Sequence, residues 1–222
     1  MTAEQHWRRT VRQHLGLGRY VPLGGPRDGC WIAESVAGTV LGRALSGRVE
    51  GVRLGPLRLA LADPGNAREP VVPPPPSALA PGPLRMSAEF SARPTEPLPD
   101  SAARLRAALA AASAGRLGLV VTEIDLRVTG LVLADDPPDE APPLPPWTGP
   151  AAEELAGVAG VLGGTVHLEE RTATDALPRL HARVEIAVEA DLRALDVARE
   201  VRAVVGRLPG GPSVAVLVTG VG

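Results

Sequence analysis

The sequence predicts an α+β protein of two similar lobes, each with the element order helix, strand, strand, helix, strand. In each lobe a three-stranded sheet is expected to carry its helices on one face. Two observations support this fold class: a period-2 strand pattern that occurs twice, and a strand and helix block that recurs at a nearly constant spacing.

The segment 118–131 is the clearest predicted strand. Its apolar and charged residues alternate, which places the two kinds of side chain on opposite faces of a half-buried strand. Segment 212–221 has the same apolar phase before the same Thr-Gly pair. The first strand contributes Ile124, Leu126 and Val128 on one face and Glu123, Asp125 and Arg127 on the other, and the second contributes Val214, Val216 and Val218.

The remaining elements repeat in register. An offset of 96 residues aligns strand and helix 84–109 with 180–205, and an offset of 90 aligns the closing strands. One change in loop length accounts for the difference, so the chain is predicted to contain a tandem repeat. The aligned pairs include Phe90 with Ile186, Arg106 with Arg202, and Leu126 with Val216.

The predicted domains follow from these elements. Segment 1–29 holds a helix over 2–15 and a Gly- and Pro-rich stretch, segment 30–132 is the first lobe, segment 133–150 is an acidic Pro-rich linker, and segment 151–222 is the second lobe. In the first lobe, apolar residues at helical spacing predict a helix over 31–45, followed by strands 52–61 and 84–91, a helix over 99–113, and a Pro-rich insertion at 63–83. In the second lobe the expected elements are a helix over 151–162, strands 166–168 and 180–190, a helix over 196–208 and a closing strand over 213–221.

Composition favours a cytoplasmic protein. Cys30 is the single cysteine, which excludes a disulfide framework and a cysteine-based zinc cluster. The sequence shows neither an apolar run of 18 residues nor a signal peptide, so any membrane association is expected to be peripheral and through a partner. All 23 basic residues are arginine, so the arginine content by itself is no sign of phosphate binding.

Few residues qualify as chemical groups of a site. His167 and His181 are placed symmetrically about Thr174, and Glu169 shares their face, so the three form a weak candidate for a divalent metal. Two ordinary surface histidines are the preferred interpretation. Cys30 is predicted to be a buried structural thiol, because no partner His or Asn can be assigned to it. The sequence therefore assigns no catalytic residue, no metal and no cofactor.

The closing strand of the second lobe predicts a contact surface. Ala215 and Leu217 occupy the phase in which the first lobe carries charges, so this strand is apolar on both faces. The surface is expected to meet either the first lobe of the same chain or another subunit, and Leu217→Glu is expected to weaken association without disturbing the fold. A single tolerated surface leucine at position 217 is the alternative. Trp7 and Val11, on the helix over 2–15, are further interface candidates if this helix is a partner- or membrane-binding arm. A helix docked on the first lobe is the preferred interpretation.

Four short segments resemble motifs of one family: 32–38 (IAESVAG), 49–52 (VEGV), 121–130 (VTEIDLRVTG) and 197–201 (VAREV). The family is that of the alkaline shock proteins, the general-stress, Gls-type proteins of the envelope stress response, here in the tandem two-lobe form of actinobacterial chains. The resemblance covers most of segments 30–131 and 151–221.

The resemblance implies a non-enzymatic scaffold at the cytoplasmic face of the membrane. Its expected partner is a membrane-anchored protein, another alkaline-shock-type protein or a second copy of the chain, without a small-molecule substrate. The alternative is a KH-like nucleic-acid-binding protein, which the element order and the positive first lobe favour. The net charge of −2 and the lack of a pair of stacking aromatic residues on any strand argue against it.

Overall fold

The computed structural model describes residues 18–46, 48–132, 152–171 and 179–222. Within these ranges the chain is a mixed α+β protein with two sheets, which confirms the predicted fold class. The strands are Tyr20–Leu23 (β1), Cys30–Ala33 (β2), Val52–Leu61 (β3), Leu84–Ala92 (β4), Val121–Leu131 (β5), Val161–Arg171 (β6), Arg179–Val188 (β7) and Ser213–Val221 (β8). The α-helices are Glu34–Leu45 (α1), Leu98–Ala112 (α2), Ala152–Ala156 (α3) and Ala194–Val205 (α4).

The two sheets contain the same three-stranded unit. In the order β3-β4-β5, the first pair is antiparallel and the second is parallel, and β6-β7-β8 repeats this arrangement. Phe90 pairs with Val128 and Ile186 pairs with Val218, and each parallel ladder shifts its register directly after that pair. The two units therefore share strand order and register, as the predicted repeat requires.

The second sheet has five strands, so the prediction of three strands in each lobe is correct for the first sheet only. Strand β2 pairs in parallel with β8, placing Trp31 beside Leu217, and β1 pairs antiparallel with β2. The prediction that the first helix begins at residue 31 is wrong, because residues 31–33 belong to β2. Cys30–Ala33 is buried at every position, and the helix begins at Glu34, where a carboxylate suits the first turn.

The predicted helix over 151–162 is shorter than expected. Helix α3 ends at Ala156, and β6 begins at Val161 and continues to Arg171. Gly160 lies between them with a φ of 80°, in the left-handed region that favours glycine. Because the chain turns there, residues from 161 onward extend a long strand where the sequence pattern had indicated only 166–168.

The Pro-rich insertion lies along the five-stranded sheet. The backbone of Tyr20 donates to Ser77 O (3.3 Å), and the backbone N–H of Leu79 donates to Tyr20 O (2.9 Å). The Trp31 indole N–H donates to Leu79 O (3.2 Å). The insertion thus supplies hydrogen bonds to β1, the strand at one edge of that sheet.

A single buried cluster joins both sheets. Helix α1 contacts both β3 and β8, and α4 packs on β8 and β2. Glu34, 5% exposed, accepts a hydrogen bond from the backbone of Leu59 (2.7 Å) and one from the Arg58 guanidinium (3.2 Å), which attaches α1 to β3. In the described ranges, no helix combines the length and apolar character that crossing a bilayer requires.

Candidate protein-interaction site

The weak metal candidate is spread over strands β6 and β7. The observed register pairs Glu169 with His181 and His167 with Arg183. The hairpin is therefore not centred on Thr174, and the two histidines do not face each other. In the described part of the chain, no three His, Cys, Asp or Glu residues form a group that suits a metal ion.

His181 has a structural environment. It is 4% exposed, and its Nδ1 lies 2.8 Å from Ser213 Oγ. Burial, followed by the positive charge of Arg171, lowers its pKa. The prediction that His181 lies on the surface is therefore wrong, because the outward face is covered where His181 lies beside β8, whereas His167, on the edge strand β6, is exposed as predicted.

Cys30 is a buried thiol, which confirms the preferred interpretation. Its Sγ lies 3.1 Å from Asp28 O, and burial raises the pKa of the thiol to about 12. A thiol held in its neutral form is a poor nucleophile. Cys30 begins strand β2, so no helix N-terminus offsets the cost of ionisation.

Ala215 and Leu217 are each 1% exposed, which makes them unavailable to another subunit in this fold. Trp31, supplied by the N-terminal segment of the same chain, stands beside Leu217. Burial therefore favours the intramolecular alternative for this surface. The premise that Leu217 faces solvent is wrong, so Leu217→Glu would bury a carboxylate and is expected to disturb the fold. The other interface candidates, Trp7 and Val11, lie outside the described residues.

A polar group without a hydrogen bond lies in the five-stranded sheet. Tyr20 is 7% exposed, and among the described residues its hydroxyl has no hydrogen-bond partner. Burial, together with the nearby carboxylate of Glu185, raises its pKa to about 12. Folding therefore removes this hydroxyl from water without replacing its hydrogen bonds.

Tyr20→Phe is expected to raise the free energy of unfolding by about 1 kcal/mol, because it keeps the ring and removes the unpaired hydroxyl. Urea denaturation measures the change. Ser101→Ala is the matched control: its hydroxyl is equally buried but donates to Glu96 (2.9 Å), so its removal is expected to cost about 1 kcal/mol. A loss of stability in Tyr20→Phe would contradict the prediction.

The free edge of β8 is closed by the N-terminal segment. The backbone N–H of Val216 donates to Gly29 O (3.0 Å), continuing the ladder between β8 and β2. Beyond the ladder, Arg202 on α4 donates from Nε to Val214 O (3.2 Å) and from a terminal nitrogen to Arg27 O (3.1 Å). Arg202 thus joins the end of β8 to the incoming strand.

A second arginine holds the same segment. Asp28 accepts hydrogen bonds from Arg199 Nε (2.8 Å) and from the backbone of Gly25 (2.7 Å). Burial acts to raise the pKa of Asp28, but these two hydrogen bonds and the positive charges of Arg199 and Arg202 outweigh it, and the pKa is lowered. The ion pair anchors the loop before β2 to α4.

The equivalent edge of the three-stranded sheet, on β5, is open. Arg106 on α2 donates from Nε to Ile124 O (3.2 Å), repeating the bond from Arg202 to Val214. Among the described residues, however, no strand pairs with the far side of β5. Val128 is 41% exposed, whereas its counterpart Val218 is fully buried.

The apolar row along this edge consists of Ile124 and Leu126, which are half-buried against the core, and Val128, which is exposed; it is called the β5 row below.

The other edge strands carry features that discourage pairing. Strand β3 contains Gly55 and Pro56 at a shift in its register, and β6 ends in the three consecutive charges of 169–171. Prolines, bulges and charges are common means of blocking a sheet edge. Strand β5 has eleven residues without proline and is regular from Glu123 to Val128. It is the edge best suited to accept another strand.

Sequence reasoning did not identify the β5 edge, although one signal was present. Arg106 and Arg202 align at the repeat offset, but their shared bond to a strand carbonyl depends on how each helix packs on its sheet. No family model, curated protein or solved structure matches the chain, so the resemblance to the alkaline shock proteins stays a prediction.

Proposed function

We propose that this chain is a non-enzymatic scaffold protein that binds a partner by accepting a β-strand at the free edge of β5. One observation carries the proposal: equivalent residues in the two sheets differ in burial because one edge is paired and the other is not. Val218, beside β2, is fully buried, and Val128 is 41% exposed.

Strand addition suits the chemistry of this edge. An edge strand presents unpaired backbone N–H and C=O groups, which give affinity, while alternate side chains give specificity. The pairing of β2 with β8 provides an example of this docking within the same chain. A partner strand at β5 would satisfy the backbone groups and cover the β5 row.

The proposed setting is the cell-envelope stress response, on the cytoplasmic side of the membrane. It rests on the resemblance to the alkaline shock proteins, whose expected partner is membrane-anchored or of the same family. The KH-like alternative requires accessible aromatic rings for base stacking. Tyr20, Trp31 and Phe90 are all buried, so these three rings give it no support.

A comparative pull-down tests the proposal. Tagged full-length protein is incubated with native membranes of the producing organism, beside the variants Val128→Lys and Val120→Lys. Val120 is 46% exposed and precedes β5, so it receives the same charge outside the β5 row. We expect the wild-type chain and Val120→Lys to recover the same partner, and Val128→Lys to lose at least about 80% of it, because a lysine blocks an edge.

The identity of the recovered proteins separates the alternatives. A membrane-anchored or alkaline-shock-type protein that Val128→Lys fails to recover would support both the edge and the setting. Equal recovery by all three forms would show that β5 is not the binding edge. RNA or ribosomal proteins recovered in a salt-dependent manner would favour the KH-like alternative.

A further inference from the structure

We propose that the β5 edge pairs with the β5 edge of a second copy of this chain, antiparallel and centred on Leu126. This inference rests on the proposed function, for which it names the partner. The result would be a two-fold symmetric dimer in which two three-stranded sheets form one six-stranded sheet. It follows from the direction of the backbone groups, the charge pattern and the partly exposed β5 row.

Between Glu123 and Val128, where the ladder with β4 is regular, the backbone groups that point away from β4 belong to the even-numbered residues. Ile124 O accepts from the Arg106 side chain, as Val214 O does from Arg202. In the second sheet, the N–H of Val216, the counterpart of Leu126, points to the neighbouring strand β2. Since alternate residues of a strand direct their backbone groups to the same side, both backbone groups of Leu126 and Val128 and the N–H of Ile124 are available for an added strand. The Ile124 carbonyl keeps a second lone pair beside the bond from Arg106.

Antiparallel pairing requires these residues to oppose one another. With Leu126 on the two-fold axis, Leu126 faces its own copy and Ile124 faces Val128 of the other chain. These are hydrogen-bonded pairs, and Asp125 and Arg127 form the intervening close pairs. The β5 row of one copy then covers that of the other.

Charge selects this register over its neighbours. Centring on Leu126 places each Asp125 opposite the Arg127 of the other copy, which forms two attractive pairs. A centre on Asp125 would form two attractive Glu123–Arg127 pairs but oppose two aspartates, and a centre on Arg127 would oppose two arginines. Each of these registers therefore contains a repulsive pair that the centre on Leu126 avoids. Asp125 is 68% exposed and 3.7 Å from Arg85, and Arg127 makes no ion pair with any described residue. Both side chains are therefore accessible for pairing.

A second copy fits the edge because the pattern is complementary to itself. A two-fold interface uses the same patch on both subunits and closes after two copies. Each chain contributes one β5 edge, so dimer formation leaves neither β5 edge open. An unrelated strand would need a positive charge opposite Asp125 and a negative charge opposite Arg127, and a second copy of this chain already has both.

Charge reversal tests the register. Sedimentation of the full chain over a range of concentrations gives the dimer dissociation constant. Asp125→Arg and Arg127→Asp should each weaken the dimer about thirtyfold, because each replaces two attractive cross-strand pairs with two repulsive ones. The double variant Asp125→Arg with Arg127→Asp restores opposite charges and should return to within about threefold of the wild type. Arg68→Asp, an equal charge change in the Pro-rich insertion, should leave association unchanged.

A disulfide measures the same register independently. Leu126→Cys should form a disulfide-linked dimer on mild oxidation, because a residue on the axis lies about 5.5 Å, Cα to Cα, from its copy. Val128→Cys should form no such disulfide, because residue 128 lies opposite residue 124 of the other chain and not opposite its own copy. The native Cys30 is buried and should not react.

The outcomes distinguish the two proposals. A chain that remains monomeric and forms no Leu126→Cys disulfide would overturn the second copy as partner. If Val128→Lys still abolished the pull-down, the proposed function would stand with a different strand. The proposed register would be overturned if the double charge variant dimerised no more tightly than the single variants. It would also be overturned if Val128→Cys formed a disulfide-linked dimer.

Discussion

Replacing Leu217 with glutamate should lower the free energy of unfolding by at least about 4 kcal/mol, because the fold would have to bury a carboxylate. Leu217 is 1% exposed, and its neighbours in register are Trp31 on one side and Glu185 on the other. The new side chain would thus share a covered face with another carboxylate. Urea denaturation followed by circular dichroism measures the loss.

The internal repeat provides the matched control for this substitution. Arg127 occupies the position in β5 that corresponds to Leu217 and is exposed. Arg127→Glu should change stability by no more than about 0.5 kcal/mol, measured at low protein concentration to reduce any contribution of association. Comparable losses for both variants would show that burial of the Leu217 face is not responsible.

Gly118→Ala should destabilise the protein by about 3 kcal/mol, combining a left-handed backbone with an overpacked contact. Gly118 has a φ of 84°, and an added Cβ would lie 2.5 Å from the Cβ of Leu195 at the start of α4. Its carbonyl also accepts the backbone N–H of Gly24 (3.0 Å). The residue therefore lies where the first repeat meets the second and the N-terminal segment.

Gly115→Ala is the control for this prediction. Gly115 lies three residues earlier, and an added Cβ there would meet nothing within 4 Å. Its φ is outside the left-handed region, so alanine should be neutral or stabilise by up to about 1 kcal/mol. Thermal or urea unfolding of the two variants should differ clearly. Equal stability would indicate that the Leu195 contact relaxes at little cost.

Local pattern was sufficient to predict most of the helices and strands. The alternation in β5 and the repeat offsets predicted a three-stranded unit, and the structure has that unit twice with the same register. The predictions failed where a few residues have no periodicity of their own. Cys30–Ala33 is too short and too uniformly apolar for a strand to be distinguished from the start of a helix.

The functional candidates depended more strongly on tertiary structure. The sequence showed that β8 is apolar on both faces, but not that β2 closes its edge and that its outward face is covered. The sequence also showed that the charged residues of β5 form a solvated face. It did not show that the edge of β5 is without a neighbouring strand. Burial of an edge depends on which distant segment pairs with it, and local periodicity contains no such information.

The sequence by itself determined the α+β class, the paired strand and helix units, and the alternation that gives β5 one charged face. Only the tertiary structure decided that β1 and β2 join the second sheet, burying Leu217 and leaving Val128 exposed. The physical reason is the separation in sequence between the residues that interact. Side-chain periodicity is set within a few residues, whereas edge pairing between β2 and β8 joins residues almost 190 positions apart and depends on the packing of the whole core.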